Sequence, residues 1–256
     1  MGNTAMLGGC RLGEGMTKIC VPLMGGDMAS LAAAARAAEA AGADLVELRI
    51  DSLSPMPTHR AAMDACCAVR AACSLPLLFT LRTQRDGGAG SADADAYESL
   101  LDAILFMQGC DAVDVELSVG EAAFRRIAAA AHQAGVTVVG SSHEFGLLRD
   151  PSRIAEWLAR QRAYGADVCK AAVMAHTREE AFIIAACMAQ AGDQLDAPYI
   201  GIVMGEYGVF SRTACACMGS CLTFGTAGQA SAPGQMDARV LRSVLMAMEG
   251  PSPCAR

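Results

Sequence analysis

Residues 165–177, GADVCKAAVMAHT, set one lysine inside an apolar, strand-like run. Val168, Cys169, Ala171, Ala172 and Val173 flank Lys170, and an ammonium buried among such neighbours is costly unless it is paired or neutral. An amine held neutral by an apolar site can attack a carbonyl carbon and form a Schiff base. The other reading is a strand-end lysine whose stem packs while its head reaches water, and for this stretch taken alone that is the commoner case.

Further charges fall in or at the ends of other apolar runs. Glu47 and Arg49 stand two apart in 44–50, and Asp114 and Glu116 two apart in 112–117, so each pair shares one strand face. Arg82 ends the run 76–82, and the run 136–142 leads through Ser141 and Ser142 into His143. Each of the four paired charges has a second reading as part of an internal ion-pair network. His143 has one as a loop or cap residue, but at a strand terminus it is an acid/base group suited to neutral pH. His59, His132 and His176 lie in helical segments or at their entries and read as surface residues. Cys215, Cys217 and Cys221 lack the second Cys-x-x-Cys or His pair of a zinc site, so no metal is expected.

The elements that must position these groups alternate from end to end. Strand-like runs occur at 18–23, 44–50, 76–82, 112–117, 136–142, 167–173, 198–204 and 221–225, with alanine-rich helical segments between them. Asp27, Asp150 with Pro151, and Thr177 with Glu180 are helix-start signals; Gly42, Gly109, Gly135, Gly165 and Gly192 stand where left-handed C-terminal residues are needed. Eight such units specify a parallel sheet covered by helices, closed or doubly wound. Met24-Gly25-Gly26 is not a dinucleotide-binding fingerprint, which favours a single (β/α)8 TIM barrel over 1–256. An irregular segment over about 1–16 and a tail over about 250–256 complete the chain. In such a barrel chemistry sits at the C-terminal strand ends.

Composition narrows the partners. With 256 residues, 53% hydrophobic and 18% charged, the chain can bury a large core. A net charge of -7 argues against nucleic acid or an anionic membrane, leaving a small molecule. No apolar run approaches the roughly 20 residues of a membrane span, and the first residues lack a signal-peptide core. A cytoplasmic protein with reduced cysteines is expected.

VELRID at 46–51, LLFTLRT at 77–83 followed by Gly87-Gly88, VDVEL at 113–117, SSHEF at 141–145, the Lys170 strand, GVFSR at 208–212 and SAPGQ at 231–235 together resemble the type I 3-dehydroquinate dehydratases. The resemblance implies a barrel, usually homodimeric, that dehydrates 3-dehydroquinate to 3-dehydroshikimate without a cofactor. It makes Lys170 the Schiff-base lysine, His143 the general acid/base and Arg212 the carboxylate ligand. Ser231 and Gln235 would lie on a closing loop, and Glu47, Arg49 and Arg82 would hold ring hydroxyls and the polar network. Where the family usually has glutamate four residues after the Arg82 position, this chain has Asp86. Aspartate can orient His143, and raise its pKa, only if the Gly87-Gly88 loop brings it close.

The chemistry fits those residues. Taking a proton from a carbon beside a ketone is easier once the ketone is an iminium, which requires a neutral amine. Desolvation, and then nearby arginine charge, would favour that form at Lys170. A Schiff-base aldolase, whose usual phosphate cradle residues 225–228 could imitate, and a catalytically inactive binding relative are the alternatives.

Overall fold

The apolar runs form strands because each is covered on both faces, one by helices and one by the barrel interior. The structure, a computed structural model, describes residues 3–228 and 234–250. Strands β1 (Ala5–Leu7) and β2 (Cys10–Leu12) form an antiparallel hairpin. Then β3 (Lys18–Leu23) leads to α1 (Met28–Ala40), β4 (Leu45–Arg49) to α2 (His59–Ala72), β5 (Leu77–Thr80) to α3 (Ala94–Phe106) and β6 (Ala112–Glu116) to α4 (Glu121–Gln133). Next β7 (Thr137–Glu144) leads to α5 (Arg153–Tyr164), β8 (Val168–Met174) to α6 (Arg178–Asp193) and β9 (Tyr199–Met204) to the short α7 (Phe210–Thr213). Finally β10 (Leu222–Thr226) is followed by β11 (Met236–Asp237) and α8 (Ala238–Glu249).

Strands β3 to β9 pair in parallel in chain order, and β10 pairs with β3. A parallel bridge between Tyr199 and Ser220, with Cys221 N–H donating to the Tyr199 carbonyl at 2.9 Å, joins β9 to the start of β10 and closes the barrel. One apolar core lies between the strands and the helices. The second lies inside the barrel, where Cys20, Leu45, Leu78, Ala112, Val139, Val168 and Leu222 form a floor packed on Leu7 and Leu12 of the hairpin. Residues 5–12 thus form a β-hairpin, where an irregular segment is expected from the sequence. The hairpin plugs the N-terminal end of the barrel, so the barrel interior opens at the other.

Several helix ends differ from the sequence expectation. Asp27 caps α1 in a full capping box with Ser30. Helix α5, however, starts at Arg153; Asp150 instead accepts hydrogen bonds from the backbone N–H and hydroxyl of Ser152 in the preceding turn. Thr177 caps α6, but Glu180 reaches back to the N–H of His176 and not to that of Thr177. Gly42, Gly135 and Gly165 have positive φ, whereas before Gly109 it is Gln108 that does. Gly192 lies within α6; a Cβ there would sit 2.1 Å from the Tyr199 ring, so close packing and not a turn demands glycine.

Candidate active site

Strand periodicity stacks the interior of the barrel in layers. Above the apolar floor, every second residue is polar: Glu47, Thr80, Asp114, Ser141 and Lys170. One step further toward the C-terminal ends come Arg49, Arg82, Glu116 and His143. These rows border a cleft open to solvent, about 710 Å³ with its solvent-filled mouth included, whose walls include Glu47, Arg49, Arg82, Asp86, His143, Lys170, Arg212 and Gln235. Pro22, Gly87, Phe145, Ala172, Ile202, Met204 and Phe224 complete the lining. Ser231 lies outside the described residues.

Lys170 is buried, and its Nζ lies 3.4 Å from Asp114 Oδ2 and 3.9 Å from Glu47 Oε1. The sequence suggests arginine charge as the amine's electrostatic neighbour; the structure places two carboxylates within 4 Å of it, because β4 and β6 each project an acid from the same layer. Phe224 presents its ring to the same nitrogen, 4.6 Å from centroid to Nζ.

Arg82 ties the network together. Its guanidinium donates to Asp114 at 2.7 Å, Glu116 at 2.9 Å and the Ser141 hydroxyl at 2.9 Å. Burial alone would push the Asp114 carboxyl up, but the charges of Arg82 and Lys170, with the hydrogen bond from Arg82, hold it well below the usual carboxylate range. Glu116 shifts the other way: burial outweighs Arg82 and raises it. Tyr97 from α3 donates its hydroxyl to the Asp114 carbonyl at 3.0 Å and so fixes the end of β6 from behind.

His143 directs Nδ1 at Asp86 Oδ2, 3.2 Å away. Asp86 ends a 3-10 turn over Gln84–Asp86 after β5; the next residue, Gly87, has φ +79°, and a Cβ there would overlap the Phe145 ring. Arg85 donates to the Ser118 carbonyl at 3.3 Å, and Asp86 is buried against the imidazole. Burial raises the Asp86 carboxyl above its ordinary value. The sequence argument has Asp86 raising the imidazole's pKa, yet His143 is depressed well below 6.5, through burial first and then the positive charges of Arg82 and Lys170. Its imidazole is neutral at neutral pH.

Arg212 belongs to α7, where its carbonyl accepts the Thr223 hydroxyl of β10 at 3.0 Å. Burial lowers its guanidinium to about 10, which leaves it charged at neutral pH. An anion entering the cavity therefore meets the Arg212 guanidinium together with the amine of Lys170 and the imidazole of His143.

A model of the type I 3-dehydroquinase family matches residues 19–251. The chain belongs to that family. A 3-dehydroquinate dehydratase of Klebsiella pneumoniae subsp. pneumoniae is 36% identical over 234 residues, covering 91% of this chain and 93% of the relative. One of Bacillus velezensis is 37% identical over 236 residues, at 91% and 93% coverage. Among solved structures, a type I 3-dehydroquinate dehydratase of Clostridium difficile with covalently modified comenic acid superposes with a TM-score of 0.92 at 30% identity, covering 97% of this chain and 99% of that one.

Within this type I 3-dehydroquinase fold, three residues that sequence reasoning passed over support the site. Asp51 follows β4 and grips Arg49 in a bidentate pair, at 2.9 and 2.7 Å. It also accepts the N–H of Ala89 at 3.1 Å, binding the loop that carries Asp86. Gln161 of α5, fully buried, accepts the Lys170 N–H at 2.9 Å and donates to the Lys170 carbonyl at 3.0 Å and to the Ser142 hydroxyl at 2.9 Å. Phe224 is the third. The cysteine-rich stretch has no part in the site: Cys215 and Cys221 are buried, and Cys217 is exposed. Among the described residues no three His, Cys, Asp or Glu side chains are grouped to hold a metal.

Proposed function

We propose that this chain dehydrates 3-dehydroquinate to 3-dehydroshikimate through a Schiff base at Lys170, with His143 as general acid/base. The observation that carries this is one cavity bordered by the Lys170 amine, a neutral imidazole and the Arg212 fork. Arg212 pairs with the substrate carboxylate in bidentate fashion. The amine attacks the ketone carbon; water leaves and an iminium forms. His143 Nε2, free because Nδ1–H is donated to Asp86, takes the α-proton, and the electron pair moves toward nitrogen. The resulting enamine expels the β-hydroxyl, which departs as water with the proton returned by His143. Hydrolysis then frees the enone and restores the amine. Arg49, Arg82, Glu47 and Gln235 border the space left for the ring and its hydroxyls. The Clostridium difficile relative, solved with a covalently modified ligand, supports covalent chemistry in the family.

A homodimer fits the exposed apolar residues Phe182 and Ile183 on α6, with Phe182 stacked on Phe210. Cytoplasmic residence fits the free, mostly buried thiols among the described residues, and no described helix is long and apolar enough to cross a membrane.

The test is turnover of 3-dehydroquinate, followed by the absorbance of the conjugated product, with borohydride added in a parallel sample. The expected result is loss of one water from the substrate and a reduced adduct on the peptide carrying Lys170. Turnover with an adduct only elsewhere, or with none, would reject the lysine mechanism; carbon–carbon cleavage in place of water loss would identify an aldolase.

A further inference from the structure

Phe224 is almost fully buried on β10 at the register position of Cys20, and its ring centroid stands 4.6 Å from Lys170 Nζ. That is cation–π distance, in a pocket where little water screens the contact. We propose that the face of Phe224 holds the positive charge of the imine formed at Lys170, so that this ring is a catalytic residue. The proposal rests on the Schiff-base reading above.

The argument turns on what changes when Nζ bonds to carbon. An ammonium has three N–H groups to share between Asp114 and Glu47, which lie 3.4 and 3.9 Å away. A protonated imine keeps one N–H, and part of its charge moves onto carbon, where a carboxylate hydrogen-bonded to nitrogen cannot follow. A π face attracts a spread cation without needing an N–H. The charge matters because only the protonated imine is the electron sink: the α-proton passes to His143 while its bonding pair flows toward nitrogen. A ring that stabilises the protonated form raises the fraction ready to react.

Phe224 does not titrate, but its surroundings do. Asp114 from β6, Glu47 from β4, Cys20 from β3 and His143 from β7 face Lys170, with Arg82 and Arg212 on the cavity wall. Ring fluorination changes none of these side chains and scarcely alters the size of the ring.

The experiment places phenylalanine, monofluoro-, difluoro- and trifluorophenylalanine at position 224 of the full chain. Each fluorine draws electron density from the face. The rate of borohydride trapping at Lys170 during turnover should fall about twofold per fluorine, reaching about tenfold for the trifluoro ring, a graded loss of a desolvated cation–π contact. The alkaline limb of kcat, where the imine loses its proton, should move down by about one pH unit across the series. If the unsubstituted enzyme gives an adduct at Lys170 while neither quantity follows the fluorine count, the role of Phe224 is overturned and the Schiff base stands. If the unsubstituted enzyme turns over without such an adduct, the Schiff base itself falls, and the inference with it.

Discussion

The Nδ1 of His143 and the Oδ2 of Asp86 lie 3.2 Å apart, although they come from β7 and from a 3-10 turn 57 residues earlier. With Asp86 ionised, the contact favours the imidazole tautomer that carries its proton on Nδ1 and leaves Nε2 to the cavity. The depressed His143 pKa then sets the pH behaviour. A base works when unprotonated, and burial with Arg82 and Lys170 disfavours the imidazolium, so the acid limb of kcat/KM should lie below the ordinary imidazole value of about 6.5. Asp86→Asn removes the negative charge facing Nδ1, destabilises the imidazolium further and should move that limb to still lower pH. It should also cut kcat by about tenfold, the equivalent of one pK unit of lost stabilisation in the form that returns the proton. NMR titration of His143 in both proteins checks the first part; an unchanged pKa with unchanged kcat would leave the orientation of His143 to another group.

Arg212→Ala should raise KM and lower kcat/KM by at least about a hundredfold, because a charged hydrogen-bonding partner worth roughly 3 kcal/mol is removed. Arg212→Lys keeps the charge but loses the planar fork and should recover only part of the loss. Steady-state kinetics on the substrate decides it. Wild-type kcat/KM in the alanine variant would take Arg212 out of carboxylate binding.

Asp51 is expected to matter twice. Burial pushes its carboxyl up, but the bond to Arg49 prevails and the group sits below its usual range. Asp51→Ala leaves the Arg49 guanidinium, itself mostly buried, without this bidentate partner, which should cost about 3–5 kcal/mol in urea unfolding. It also releases Arg49 at the cavity wall and the Ala89 N–H on the loop behind Asp86, so KM should rise in the protein that remains folded. A variant as stable as the parent would show that solvent or another acid takes over the pair.

The strands were legible because a parallel strand buried on both faces reads as an apolar run, and the charges that interrupt such runs, Glu47, Asp114 and Lys170, point into the barrel, where Glu47 and Lys170 line the cavity and Asp114 is buried beside Lys170. The supporting residues were not legible for a physical reason in each case. Asp51 lies past the strand end, where alternation no longer tells in from out. Gln161 sits in Arg-Gln-Arg, a helix surface by composition, and only the packing of α5 over β7 and β8 buries it. Phe224 in Leu-Thr-Phe reads as an ordinary core residue. The N-terminal hairpin did carry a signal: Gly8-Gly9 between Ala-Met-Leu and Cys-Arg-Leu is a two-residue turn, with Gly8 at φ +55°.

Gln161 offers a test of how the two reacting strands are held in register. Its amide serves the backbone N–H and carbonyl of Lys170 on β8 and the hydroxyl of Ser142, next to His143, on β7. Gln161→Met keeps the volume and removes all three hydrogen bonds, stranding buried groups whose desolvation costs roughly 1–3 kcal/mol each when it is uncompensated. Unfolding in urea should therefore show a loss of about 3 kcal/mol or more. Ser142→Ala removes a single arm and should cost less. Because the two residues share a bond, the double variant should depart from additivity by about 1 kcal/mol. If the register of β7 against β8 governs the encounter of the amine and the imidazole, kcat should fall in Gln161→Met while KM stays close to the parent value. Strict additivity with an undiminished kcat would mean that the flanking ladder alone fixes Lys170, and that Gln161 only fills the space beneath it.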